Sequence, residues 1–90
     1  MNRVYLKKQA GLLFYFPHES HITMWMKNTA IPLDIIWMDK KKRVVDLYHH
    51  AKPYSKKKLR SQKKAKYVLE INAGLAKLYN FKEGDQANFD

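Results

Sequence analysis

The chain contains no cysteine. That excludes a disulfide scaffold, a thiol nucleophile and any cysteine-ligated metal site. Glycine is scarce, with three residues in 90. So few glycines cannot build a phosphate-cradling loop or a dinucleotide fingerprint, and neither pattern occurs. Acids are scarce too: eight Asp and Glu stand against 18 Lys and Arg. No apolar run approaches the roughly 20 residues that cross a bilayer as a helix, so no membrane span is expected. The opening "MNRVYLKKQAGLLFYFP" joins a basic lead to a short apolar patch. That patch falls short of the roughly 7–15 apolar residues of a secretory signal, and it lacks a small-residue cleavage site. The expected location is therefore cytoplasmic.

What is present points to one compact domain over residues 1–90. Apolar residues make up 46% and aromatics 13%, too much for a disordered chain. Charge is concentrated. Residues 40–66 hold twelve Lys and Arg and one acid, Asp46, so that segment nets +11 and the rest of the chain −1. Such a block suits an anionic partner, or it is simply a solvated, lysine-rich face.

Short apolar runs and period-2 patterns dominate. "LLFYF", Leu12 to Phe16, reads as a strand buried on both faces and stopped by Pro17. In "HITMWM", Ile22, Met24 and Met26 share one face of a strand, and His21, Thr23 and Trp25 the other. "KNTAIP" leaves the ladder, because Asn28 favours a turn and Pro32 cannot donate to a central strand. "LDIIWM", the turn "DKKK" and "RVVDLYHH" read as a hairpin. Residues 51–66 read as a basic surface loop, and "KYVLEIN" as a further strand. A short helix over "AGLAKLY" is expected, with Asn72 as N-cap, Asn80 in the left-handed C-terminal position, and Leu75 and Leu78 inward. "KEGD" is a turn and "QANF" a last short strand. The expected fold is mostly β: about six strands in a sandwich or barrel, with one short helix near the C-terminus.

Chemistry is thinly signalled. Ser20, Ser55 and Ser61 lie in turns or loops with no nucleophile motif around them. The four histidines lack metal-site spacing, so no metal and no cofactor is expected. "MKNT" is more informative: Lys27, Asn28 and Thr29 place polar groups beside Trp25 and Met26, as a small-ligand pocket requires. Asp34 could pair with Lys27, and Glu70 and Asn72 end a strand and could join them. The plainer reading is that Asn28 and Thr29 satisfy turn backbone and Asp34 anchors the loop. In the basic segment, Lys40, Lys41, Lys42, Arg43, Lys56, Lys57, Lys58, Arg60, Lys63 and Lys64 are the candidates for nucleic-acid contact. Tyr48, Tyr54 and Tyr67 are nearby rings on which bases could stack.

The blocks "GLLFYFP", "MWMKNTAIPLDIIWMD", "KYVLEINAG" and "EGD" resemble the domain of unknown function 192 family over about residues 11–89. The resemblance implies a small jelly-roll-like β fold with a short helix. Its hallmark residues fall on Trp25, Met26, Lys27, Asn28, Thr29, Pro32, Leu33, Asp34, Glu70, Asn72 and Gly74. It implies no activity, since the family is uncharacterised. Family members usually carry a further strand before the first block, where this chain has only "MNRVYLKKQA". A missing strand would leave an open sheet edge, so a homodimer through that edge is expected. The lysine-rich loop also departs from the family pattern.

Three functions follow as expectations. The first is a module binding a small polar or anionic ligand through Trp25, Lys27, Asn28, Thr29, Asp34, Glu70 and Asn72. The second is nucleic-acid binding through residues 40–66. The third is a hydrolase using Asp34 or Glu70 as general base.

Overall fold

The structure, a computed structural model, describes residues 11–88. Its elements in chain order are β1 (Gly11–Ser20), β2 (Thr23–Met24), β3 (Leu33–Met38), β4 (Val44–Ala51), β5 (Leu59–Arg60), β6 (Ala65–Asn72) and α1 (Leu75–Leu78). The fold is mostly β and sandwich-like. A four-stranded antiparallel sheet runs β1-β6-β3-β4, and β2 pairs with β5 in a second small sheet. The barrel among the sequence-based alternatives is not closed.

β3 and β6 are the central strands, which explains their composition. Every residue of "LDIIWM" is buried. One face of the sheet presents Ile35, Trp37 and Val68 to Ile22, Met26 and Leu59. The other presents Ile36, Met38, Leu69 and Ile71 to Ala76 and Ala87. A sheet covered on both faces needs continuous apolar strands rather than alternating ones. Each fully buried Ile, Leu or Trp there contributes about 1.5–3 kcal/mol. Trp37, 1% exposed, also ties the covering segment down: its Nε1–H donates to the Ile22 carbonyl at 3.0 Å.

The β3–β4 hairpin forms as its sequence suggests. Its turn closes with the Lys42 amide on the Asp39 carbonyl at 2.9 Å. Asp39 Oδ1 also accepts from the Lys41 and Arg43 amides. "HITMWM" keeps its alternation, with Ile22 and Met26 buried and Trp25 exposed, but only Thr23–Met24 is strand.

Four expectations are corrected. β1 runs through Pro17 to Ser20 and alternates between half-buried and exposed, rather than being buried on both faces. Among the described residues it is the edge strand, its register slips between Tyr15 and Ser20, and an edge tolerates the missing proline N–H. The stretch 51–66 is not merely a surface loop. Leu59, Ser61 and Ala65 are buried, and β5 lies within it. The helix is one turn whose N-cap is Gly74, not Asn72, and Leu78 faces solvent while Ala76 is the buried residue. In "QANF" the described residues form bridges rather than a strand, Gln86 with Arg43 and a second at Asn88, and Phe89 lies outside the described residues. Asn80 does take the left-handed conformation, at φ 60°. The edge expected to be open before Gly11 involves residues 1–10, outside the described residues.

Candidate functional site

The strand register decides which hallmark side chains can meet. Asp34 pairs across to Ile71, and Ile35 to Glu70. Paired residues point to the same side of a sheet, and neighbours along a strand to opposite sides. Asp34 therefore lies on the Ile36–Ile71 face and Glu70 on the Ile35–Val68 face. The expected joint grip of Asp34 and Glu70 on Lys27 is not built. Lys27 instead places its Nζ 5.2 Å from the centre of the Trp25 ring, and both side chains are exposed.

Asp34 is fully buried, yet its carboxylate is well served. Oδ1 accepts from the His50 amide at 2.9 Å. Oδ2 accepts from the Gly74 and Ala76 amides, each at 3.0 Å. Helix α1 has no side-chain cap of its own. Asp34 supplies that cap from a strand 40 residues earlier. Gly74 stands at φ 97°, a conformation that costs glycine nothing and other residues strain. The "LD" and "NAG" blocks are thus two halves of one joint, which locks β4, β3 and α1 at one end of the sheet.

Glu70 differs. It is 9% exposed and makes no hydrogen bond or ion pair among the described residues. Its strand neighbours are Leu12 and Ile35. Burial holds its carboxyl above the ordinary value of 4.5. Its carboxyl oxygens reach solvent from a largely buried side chain, whereas Asp34 has no surface a substrate could reach.

Loops gather at the Leu33–Ala51–Asn72 end of the sheet. Backbone bonds stitch them together: the Met26 amide to the Ser55 carbonyl at 3.2 Å, the Tyr54 amide to the Thr29 carbonyl at 2.9 Å, and the Ala73 amide to the Pro32 carbonyl at 3.1 Å. Asn28 is exposed and Thr29 half-buried within this tie, and Asn72 is exposed where β6 ends. Next to Met26 opens a groove of about 300 Å³. Its polar lining is His50, Lys52, Ser55 and Lys57, and its walls include Met26, Tyr48 and Leu59. Lys57 Nζ stands 5.7 Å from the Tyr48 ring centre. A second hollow of about 380 Å³ lies between His49, His50, Lys77, Asn80 and Phe81. His50 borders both.

The groove joins residues the sequence reading kept apart. From the sequence, Lys57, Tyr48 and Lys52 belong only to the nucleic-acid reading of residues 40–66, and Ser55 and His50 stand out as no ligand. The chain folds back because His50 and Tyr54 adopt positive φ, 54° and 61°, without glycine to announce it. Among the described residues, no three His, Asp or Glu side chains could hold a metal ion together.

The basic segment is split by the fold. Lys40 to Arg43 lie at the hairpin turn, about 23 Å of strand away from Lys52. That far end mixes charge: Arg43 pairs with Asp39 at 3.9 Å and Lys63 with Glu83 at 4.0 Å. The groove end does not. Residues 25–32, 52–58 and 73–81 hold Lys27, Lys52, Lys56, Lys57, Lys58 and Lys77, with no Asp or Glu.

With that geometry in view, the DUF192 family profile, described as uncharacterised ACR, matches residues 1–89. The chain belongs to DUF192. Two solved structures are similar to it. One is from Sinorhizobium meliloti 1021 and carries the provisional name of a transcription regulator. It has TM-score 0.82 and 36% identity, over 84% of this chain and 59% of that one. The other is a protein of unknown function from Novosphingobium aromaticivorans DSM 12444. It has TM-score 0.83 and 37% identity, over 92% of this chain and 59% of that one. The chain therefore spans 59% of the length of both. No curated protein matches it. DUF192 brings no assigned activity, so function is argued from the site. Among the described residues, no helix is long and apolar enough to cross a membrane.

Proposed function

We propose that this DUF192 chain is a binding module for a small anionic ligand, held in the groove between β4 and the 52–59 loop. The observation that carries this reading is the groove's lining: two lysines, a histidine and a serine converge beside apolar walls. Lys52 and Lys57 supply charge, and Ser55 and His50 supply hydrogen-bond donors. Tyr48 and Met26 exclude water on one side, which strengthens those contacts. Lys27, Asn28 and Thr29 act beside the groove. The turn they form is tied to the 52–55 loop, and Trp25 with Lys27 stands one step from Met26. Asp34 serves the shape of this end rather than the ligand.

Pyrophosphate is the probe. Calorimetric titration is expected to show binding that weakens at least tenfold in Lys52→Gln/Lys57→Gln, which removes charge-assisted contacts of about 1.5–3 kcal/mol each. Both lysines are exposed, so the melting temperature should stay the same. Equal affinity in the double variant, or no heat with the wild type, overturns the reading.

A nucleic-acid role is the second reading, favoured by the exposed Tyr54 ring and the Lys57–Tyr48 stack at this same end. It predicts oligonucleotide affinity that falls steeply with salt.

A further inference from the structure

Exposed apolar side chains are not scattered over this molecule. Seven large hydrophobic residues are exposed among the described ones. Five of them, Trp25, Ile31, Tyr54, Leu78 and Tyr79, lie on the three loops at the groove end. A sixth, Leu12, lies beside them at the start of β1, next to Gly11, which pairs with Ile71. Leu78 is 70% exposed, at the end of a helix that could have turned it inward. The same three loops carry six lysines and no acid. Backbone hydrogen bonds tie the first two loops at Met26–Ser55 and Thr29–Tyr54, and the third to the first at Pro32–Ala73.

We propose that this end of the sheet docks on the headgroup layer of an anionic bilayer. The inference rests on the anion-binding reading and names the source of the anion: a lipid phosphate or carboxylate presented at a membrane surface. Charge complementarity identifies the occupant. Each lysine near an anionic leaflet is worth about 1 kcal/mol. Charge alone would suit any polyanion, but the apolar set separates the cases. Ile31, Leu78 and Leu12 have no ring on which a base could stack, and the three loops contain no arginine, the usual reader of bases. An interface uses both halves of the pattern. Trp and Tyr rest at headgroup level, aliphatic tips reach the acyl boundary, and lysines stay in water beside lipid charge. Stable peripheral binding takes two such signals acting together.

Two tryptophans make the test direct. Trp25 is 44% exposed in these loops, whereas Trp37 is locked in the core and gives a constant background. The full chain is mixed with phosphatidylserine–phosphatidylcholine vesicles and with pure phosphatidylcholine vesicles. Co-sedimentation with the first alone is expected, with a blue shift and quenching by brominated acyl chains. Trp25→Phe should abolish the optical signal and keep sedimentation. Lys56→Gln/Lys57→Gln/Lys58→Gln should weaken partitioning about 100-fold, from three lysines at about 1 kcal/mol each. Ile31→Ser/Leu78→Ser should weaken it about tenfold. Pyrophosphate binding without vesicle binding overturns the membrane inference and leaves the anion reading standing. Vesicle binding without a Trp25 shift or quenching reduces it to adsorption and overturns docking. Oligonucleotide binding lost in the triple-lysine variant, with no vesicle binding, assigns this end to nucleic acid instead. Failure with both vesicles and pyrophosphate removes both readings.

Discussion

Asp34→Asn is expected to cost about 3 kcal/mol and to lower the melting temperature by roughly 12–24 °C. The volume hardly changes, so the loss is one of hydrogen bonding. The carboxylate accepts three backbone N–H groups, from His50, Gly74 and Ala76. An asparagine keeps one oxygen. If it serves Gly74 and Ala76, its NH₂ faces the His50 amide, donor against donor. If it flips, two helix amides are left without an acceptor. Buried donors without partners cost about 1–3 kcal/mol each, and the surviving bonds lose their charge assistance. The loss should be local first. Amide exchange should quicken at residues 74–78 and at His50 before it does at Leu69 or Ile36. A melting temperature within a few degrees of wild type would show that Asp34 does not cap the helix.

Glu70→Gln should act in the opposite direction, raising stability at neutral pH. Glu70 is largely buried with its carboxyl oxygens at the surface, and burial raises its pKa above 4.5. A carboxyl raised in the folded state folds most readily when protonated. Its contribution is fully present below the unfolded value and is lost as pH climbs through the folded value. Wild type and Glu70→Gln should therefore have equal stability in acid and diverge as pH rises, with the variant higher. Thermal melts across that range check this. Parallel curves at all pH values would show that the Glu70 carboxylate is satisfied in the folded chain. A group that costs the fold stability is the natural candidate for a working role, and it keeps Glu70 as the acid to test if this end proves catalytic.

Which features the sequence made legible follows from how local their causes are. The β3–β4 hairpin was legible because a buried apolar strand, a four-residue turn and a returning strand are consecutive. Asn80 in the left-handed region was legible for the same reason. The pairing of β2 with β5 was not. It rests on Thr23 with Arg60 and Met24 with Leu59, two short contacts joined across a long separation. Asp34 shows the limit most clearly. The sequence marked it as polar inside an apolar strand, yet its three donors lie 16, 40 and 42 residues away. Its separation from Glu70 turns on register. A slip of one residue would have put both on one face. The groove stayed hidden because His50 and Tyr54 fold the chain back without a glycine signal. The charge block misleads in a specific way: contiguous in sequence, it divides between the two ends of β4, and only at one end are the loops free of acids.

The measurement that reaches the central claim most directly is an amide-resolved NMR titration of the full chain with pyrophosphate. Saturable shifts are expected at Met26, Tyr48, Lys52, Ser55 and Lys57, with Lys40 to Arg43 and Lys63 unmoved. Shifts centred on the hairpin turn, or spread evenly over every lysine, would contradict it.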